Sequence, residues 1–226
     1  MNNVFIQQGI NPIDQPDLLG LILKTTDIEL GNRHTGFIVL KQNQELNIAH
    51  LCGKDYRFEG YKDTYVYTWI HELDESISVP LMARLKNLSL KKTIEVEYSP
   101  IYSGNGILDD NNGQYIPDPN FPTEGLTCAT FVILMLENFG VHLIDRNSWE
   151  ITEEDTVWFE RMLSDCFFLF QDHFLEKLRN DKGKYPRFRP EQVVAAGCLY
   201  DEDPISFDQA NKASEEVLRQ LACYGC

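Results

Sequence analysis

Long apolar runs are absent from this chain of 226 residues. No stretch approaches the ~20 apolar residues that a membrane-spanning helix needs. Residues 1–8 also lack the basic start and the apolar stretch of a secretory signal peptide. We therefore expect a soluble protein that stays in the cytoplasm and has no membrane among its partners.

Basic residues are scarce as well. The chain has 20 Lys and Arg against 35 Asp and Glu, which gives a net charge of −15 at pH 7. Nucleic-acid binding depends on lysine and arginine neutralising phosphates, so no nucleic acid is expected as a partner. Anionic membrane surfaces are disfavoured for the same reason. Hydrophobic residues still make up 43% of the chain, which is typical of a globular protein rather than a disordered one.

A disulfide framework is not expected, although the number of cysteines is even. The six cysteines are Cys52, Cys128, Cys166, Cys198, Cys223 and Cys226. Reduced thiols are favoured in a chain of this size in which no signal peptide is recognised. The last two cysteines have the spacing of half a metal or redox site, but no second pair accompanies them. A glycine-rich phosphate loop is also missing.

The hydrophobic pattern predicts strands first and helices afterwards. The predicted strands cover residues 35–41, 46–51, 64–70 and 93–98, and residues 18–24 form a short buried strand or helix. The predicted helices cover residues 79–88 and 126–136, one or two segments within 152–181, a short segment from 189, and 207–223. This order is typical of an α+β fold. We expect a small antiparallel sheet packed on one buried helix in residues 1–144, and a helical C-terminal extension in residues 145–226.

A long loop, residues 99–124, precedes the most apolar predicted helix. Loops of this length in compact domains are usually functional or mobile, so we expect this one to border the functional cleft and to select the ligand. The helix that follows begins near Cys128. It is apolar on nearly every side, which predicts full burial, and Gly140 supplies its end.

Cys128 is the candidate nucleophile, because it lies where the buried helix begins. A helix N-terminus has free N–H groups and a partial positive charge, both of which favour the thiolate. The backbone N–H of Cys128 could also bind an oxyanion. The alternative is a structural cysteine, since free cysteine is among the most buried residue types.

Two histidines lie at the ends of the first predicted hairpin. His34 begins one strand and His50 ends the other, so a turn near 42–44 would place them roughly opposite each other. A slip of one residue would move them to different faces. Gly36 leaves room for a helix N-terminus to pack beside His34. The expected roles are general base for His34 and orienting group for His50, while His71, after the third strand, is a rival base.

Cys52 follows His50 by two residues on the same predicted strand. Such a pair supplies one arm of a metal site rather than a cage of ligands. No metal and no cofactor is therefore expected.

Three motifs together resemble the circularly permuted papain-like superfamily, which includes NlpC-type peptidases and the lecithin retinol acyltransferase family. They are residues 33–40 (RHTGFIVL), 47–51 (NIAHL) and 126–132 (LTCATFV). In that superfamily a histidine begins a strand, a second histidine follows on the next strand, and a cysteine begins a helix. The resemblance implies a Cys128 nucleophile, a His34 base and an orienting His50. Thr127 departs from the asparagine that often precedes the nucleophile in the acyltransferase branch.

The predicted function is a thiol-dependent, cysteine peptidase-like hydrolase that acts on an amide, peptide or isopeptide bond through an acyl-enzyme. A thiol acyltransferase or thioesterase would form the same acyl-enzyme and differ only in the acceptor. A non-catalytic binding protein on the same scaffold is the third hypothesis, because a fold does not fix a function. The expected partner is a peptide, amide or acyl substrate.

Overall fold

One antiparallel sheet of five strands lies at the centre of the protein. The computed structural model describes residues 4–9, 19–29, 31–40, 45–91, 96–109, 111–165 and 172–225. The sheet contains β1 (Leu19–Asp27), β2 (Asn32–Leu40), β3 (Leu46–Cys52), β4 (Asp55–Gly60) and β5 (Val66–Trp69). Their order across the sheet is β4-β3-β2-β1-β5, so β1 to β4 follow one another as hairpins and β5 pairs with the far edge of β1.

Six α-helices, a short 3-10 helix (Arg146–Ser148) and a small ribbon complete the described structure. The helices are α1 (Glu75–Leu88), α2 (Cys128–Glu137), α3 (Glu153–Asp165), α4 (Asp172–Asn180), α5 (Pro190–Leu199) and α6 (Phe207–Tyr224), and the ribbon pairs β6 (Ile107–Leu108) with β7 (Tyr115–Ile116). The expected α+β fold class is confirmed, and its permuted papain-like form stays a prediction. Within the described residues, no helix combines the length and the apolar composition that crossing a membrane requires.

The central strands are buried on both faces, which explains their nearly continuous apolar sequences. Leu21 and Phe37 belong to the main core, together with helical residues such as Val132. Ile38 and Tyr67 belong to a second, smaller cluster. Alternation along a strand sends successive side chains to opposite faces, so a strand that is covered on both faces loses its polar positions.

Helix α2 anchors the centre of the main core. Its residues from Ala129 to Leu136 are all buried, and the helix contacts β2, β3 and α5. Each large apolar side chain that is fully buried contributes about 1.5–3 kcal/mol relative to an exposed one. The first turn of this helix is therefore held at a fixed position against the sheet.

Helices α5 and α6 of the C-terminal third share this core, whereas α3 and α4 form a separate, smaller cluster with Ile101. Helix α5 packs against β1, β2, β5 and α2. Its Gly197 lies so close to the sheet that an added Cβ would be 2.7 Å from Leu21 Cδ1. Val193 and Val217 lie in the same cluster as residues of β1 and α2. The division of the chain at residue 144 stays a prediction, but side chains from both parts contribute to one core.

The strand and helix predictions differ from the structure at a few places. Strand β4 was not expected, because it is an edge strand whose side chains are mostly polar and partly exposed. Residues 96–98 are not in a strand, although 93–98 alternate in sequence. The remainder of that predicted strand and the predicted turn at 42–44 lie outside the described residues.

Candidate active site

Cys128 is the first residue of α2, and two threonines cap the N-terminus of this helix. Thr127 is the N-cap: its Oγ1 accepts a hydrogen bond from the Thr130 backbone N–H at 3.2 Å. In return, Thr130 Oγ1 accepts one from the Thr127 backbone N–H at 2.8 Å. No helical carbonyl can reach the N–H groups of the first turn, so the N–H of Cys128 stays directed away from the helix. This is the placement that an oxyanion-binding group needs.

The Cys128 thiol is only partly exposed, and its environment has opposing effects on its pKa. Burial raises the pKa to about 11, although the backbone N–H groups of Thr35 and Ala129 and the guanidinium of Arg187 lower it. The structure thus points against the thiolate that the helix start led us to expect. At neutral pH Cys128 is a thiol, and a base has to remove its proton during any attack.

His34 and His50 are in direct contact. His34 Nε2 lies 2.7 Å from His50 Nδ1, and the ring centroids are 4.9 Å apart. Phe37 pairs with Ala49 across the hairpin, so the next pair in this register joins Gly36 to His50. His34 is therefore displaced by two residues from the roughly opposite position expected, and a shift of two keeps both rings on one face.

Gly36 is required at this point of β2. A Cβ there would lie 2.5 Å from His50 Cβ and 2.7 Å from the backbone oxygen of Ala49. The expected reason for this glycine was room for the helix N-terminus. The structure shows that it makes room for the second histidine instead.

Glu59 fixes the tautomers of both histidines. Its Oε1 lies 3.3 Å from His50 Nε2, and a hydrogen bond from Lys62, with His50 adding to the effect, lowers the pKa of the carboxyl. An ionised carboxylate can only accept, so His50 carries its proton on Nε2 and accepts at Nδ1. His34 must then donate from Nε2, and its Nδ1 holds a free lone pair. The role of Glu59 is not visible in the sequence, because β4 is a mostly polar edge strand.

Both imidazoles are neutral at physiological pH. Burial, the neighbouring His50 and the charge of Lys24 lower the pKa of His34 to about 3. Burial also lowers the pKa of His50, against the opposing effect of Glu59. A neutral imidazole with a free lone pair is the form that a general base requires.

Cys128 and His34 line the same cavity, which has a volume of about 230 Å³. Within the described part of the chain no hydrogen bond joins them, and such contacts are often long before a substrate binds. The lining residues are Thr26, Asn32, Arg33, His34, Leu51, Gly53, Tyr98, Pro100, Thr127, Cys128, Trp158, Arg161, Met162, Asp165, Arg187, Phe188 and Pro190. Among the described residues of the loop 99–124, only Pro100 lines the cavity. The opposite wall comes from α3 and residues 187–190.

Three arginines make the cavity cationic in a protein of net charge −15. Arg187 lies 3.6 Å above the ring of Trp158; burial lowers its pKa to about 10, so it stays charged. Arg33 binds Glu191 at 3.1 Å, and Arg161 also lines the wall. Asp165 is the single carboxylate among the lining residues that the structure describes. These arginines are far apart in sequence, so no motif indicates that they meet.

The other histidines lie away from this cavity. His71 is exposed in the turn after β5, and His142 and His173 are exposed as well. Among the other cysteines, Cys198 donates a hydrogen bond to Thr68 Oγ1 at 3.4 Å, and Cys223 is exposed. Cys166 and Cys226 lie outside the described residues.

No family model, curated protein or solved structure significantly matches this chain. The assignment of the site therefore depends on the geometry of its own residues.

Proposed function

We propose that the protein is a thiol-dependent hydrolase in which Cys128 attacks the carbonyl carbon of an amide, peptide or isopeptide bond. The observation that carries this proposal is the shared cavity. A thiol at the first turn of a buried helix and a neutral, oriented imidazole both line it. Nucleophile, base and orienting group are the parts that covalent catalysis by a cysteine needs.

The proposed reaction starts from the neutral pair. His34 Nδ1 takes the proton from the Cys128 thiol as Sγ bonds to the carbonyl carbon, and the carbonyl oxygen becomes an oxyanion. The Cys128 backbone N–H stabilises that charge. The amine then leaves with the proton from His34, which yields a thioester. A water molecule, deprotonated by His34, attacks the thioester and releases the acid and the thiol.

Proton transfer has to accompany the attack. The pKa of Cys128 is about 11 and that of His34 about 3, so an ion pair of the two is unfavourable in the free protein. Glu59 and His50 contribute by holding the His34 ring with Nδ1 unprotonated. The hydrogen bond between the rings also stabilises the imidazolium that forms transiently.

The wall formed by α3 and residues 187–190 carries Arg161 and Arg187, and we call it the arginine wall. It suggests a substrate that carries a negative charge near the bond to be cleaved. Arg161 and Arg187 form no direct ion pair among the described residues, although the charges of Glu191 and Asp155 also act on Arg187. Guanidinium groups bind carboxylates through paired hydrogen bonds. Trp158 and Phe188 supply apolar surface beside them.

A thiol acyltransferase is the second candidate, and one observation favours it. Another cavity adjoins the first and shares Arg33, Trp158, Arg161 and Arg187 with it. An acyl acceptor could bind there while the acyl group remains on Cys128. The two candidates differ only in whether water or this acceptor attacks the thioester.

An acylation experiment tests the proposal. The protein is incubated with activated esters of a neutral acid and of a dicarboxylic acid, and intact mass and peptide mapping locate the acyl group. We expect one acyl group on Cys128, faster formation from the charged ester, and loss of labelling in Cys128→Ser. Cys198→Ser, which changes a half-buried cysteine outside the cavity, is the matched control. Equal labelling of wild type and Cys128→Ser would contradict the role of Cys128 as nucleophile and would favour a non-catalytic binding site.

A further inference from the structure

A second constellation shares the two histidines but not Cys128. Cys52 Sγ lies 3.3 Å from His50 Nδ1 and 3.9 Å from His34 Nε2. These three atoms all lie within 4.8 Å of one another. His50 and Cys52 project from one face of β3, and His34 projects from β2, so the hairpin supplies the second arm that sequence alone did not provide.

We propose that His34, His50 and Cys52 bind a divalent metal ion of the zinc class, and that the bound metal switches off the base of the proposed thiol site. The first part stands on the hairpin geometry alone. The second part rests on the proposed function.

The separations of the three atoms suit a tetrahedral ion. Zinc–nitrogen bonds of about 2.0–2.1 Å and zinc–sulfur bonds of about 2.3 Å place two nitrogens about 3.3 Å apart, and a nitrogen and a sulfur about 3.5 Å apart. The two distances to Cys52 Sγ, 3.3 and 3.9 Å, bracket the second value. The ring nitrogens, at 2.7 Å, need to separate by about 0.6 Å. Rotation of the partly exposed His34 ring provides such a movement.

The donor types select the class of metal. Two imidazole nitrogens and one thiolate are borderline to soft ligands, which favour zinc and its neighbours over magnesium or calcium. Three protein ligands leave a fourth position for water, as in metal sites that stay open. His34 also lines the cavity, which gives an ion a path to the site.

Glu59 provides the outer support that such a site requires. A histidine that binds a metal usually donates its other ring N–H to a carboxylate, which fixes the tautomer. His50 Nε2 faces Glu59 Oε1 at 3.3 Å and thereby leaves Nδ1 free for the metal.

Metal binding and general-base action require opposite tautomers of His34. Without metal, His34 donates from Nε2 to His50 Nδ1, and its Nδ1 is the base. With metal on Nε2, the proton moves to Nδ1, which can then no longer accept the proton of Cys128. The Cys52 thiol loses its proton to solvent, so binding releases one proton in total and involves no oxidation or reduction.

Cobalt titration of the chelator-treated protein tests the site. Co²⁺ reports thiolate ligation through a charge-transfer band, and Zn²⁺ should displace it at one ion per chain. We expect Cys128→Ser to keep this band and Cys52→Ser to lose it, with weaker zinc binding. Glu59→Gln should weaken binding by about 10–100-fold. A band that disappears with Cys128 and survives loss of Cys52 would overturn the assignment.

A second measurement needs no variant and so does not depend on how Cys52→Ser folds. Zn²⁺ should protect Cys52 from alkylation in the wild-type protein, as mapped by mass spectrometry. Absence of protection at saturating zinc would also overturn the site.

The switch has its own readout. Zn²⁺ should lower acylation of Cys128 in wild type, and this inhibition should be lost in Cys52→Ser. Cobalt binding with undiminished acylation would overturn the switch and leave the metal site in place. If no ester acylates Cys128 under any condition, the proposed function and the switch both fail, while the cobalt result decides the metal site independently.

Discussion

The two walls of the cavity come from different parts of the chain and contribute different things. The hairpin of β2 and β3 supplies two histidines whose rings meet because of strand register. The opposite wall, from α3 and residues 187–190, supplies Arg161 and Arg187, which come together where α3 meets residues 187–190. The histidines are positioned by the pairing of two neighbouring strands, so their placement depends on a short part of the chain. The arginines are positioned by the packing of distant segments, so their placement depends on the whole fold. Substitutions on the hairpin wall, formed by β2 and β3, should therefore change the rate of the reaction. Substitutions on the arginine wall should change the preference between substrates.

The largest effect is expected on the hairpin wall, from His34→Ala. This change removes the proton acceptor, so acylation of Cys128 should fall by about 10²–10⁴-fold. His50→Gln keeps a polar group that can still hold the ring, and should cost less than His34→Ala. His71→Ala, in an exposed turn, is the control and should cost little. The measurement is the rate of acylation by the activated esters under single-turnover conditions.

The opposite ranking would contradict the assignment of His34 as the base. If His71→Ala slows acylation and His34→Ala does not, the base lies after β5, and the resemblance to the permuted papain-like superfamily is accidental.

Acid should lower the unfolding free energy of the protein through the protonation of His34. Its pKa in the folded protein is about 3, below the 6.5 of an ordinary histidine. Between these values the unfolded chain binds a proton that the folded chain does not, so stability is lost as the pH falls from about 6.5 towards 3. His34→Gln should reduce the slope of unfolding free energy against pH by up to about 1.4 kcal/mol per pH unit. Urea unfolding at several pH values measures that slope.

The exposed His173 supplies the matched control. His173→Gln changes an exposed position of α4 and is measured in the same way. An unchanged slope in His34→Gln would show that His34 is not held neutral by burial.

Gly36→Ala should break the register of the hairpin wall. The added Cβ would lie 2.5 Å from His50 Cβ and 2.7 Å from a backbone oxygen, and such overpacking typically costs about 1–3 kcal/mol. Gly60→Ala is the control, because no atom of the described residues lies within 4 Å of a Cβ at that position. Thermal unfolding compares the two variants, and a stability loss in Gly60→Ala equal to that in Gly36→Ala would contradict the steric explanation.

The same contrast explains which features the sequence alone could predict. His34 and His50 were placed on one face because alternation and a short hairpin are local properties. The exact pairing was displaced by two residues because hydrophobicity does not determine the length of a turn, and the turn residues carry no apolar signal. Glu59 was missed since its edge strand is polar. The contact between Arg187 and Trp158 could not be foreseen, because it depends on the packing of α3 against residues 187–190.

The pKa of Cys128 shows that burial can outweigh the effect of a helix N-terminus. A helix N-terminus predicts a stabilised thiolate, and the amide N–H groups of Thr35 and Ala129 do lower the pKa. Burial removes water from the thiol, and this desolvation, which raises the pKa, is the larger effect. Local sequence gives the sign of the amide contribution but not the extent of burial.

The smallest effect is expected on the arginine wall, from Arg187→Met. Methionine keeps much of the apolar contact with Trp158 and removes a charge that lowers the pKa of Cys128. We expect the preference for the dicarboxylic ester over the neutral ester to fall about tenfold, which is about 1.4 kcal/mol and within the range of a charged hydrogen bond. The midpoint of the alkylation rate of Cys128 plotted against pH, which is near 11 in wild type, should move to higher pH. Arg219→Gln, on an exposed face of α6, controls for the loss of one positive charge from the whole protein and should change neither quantity. If Arg187→Met slows both esters equally, this wall acts on the nucleophile rather than on the choice of substrate, and the division between a chemical wall and a selective wall is wrong.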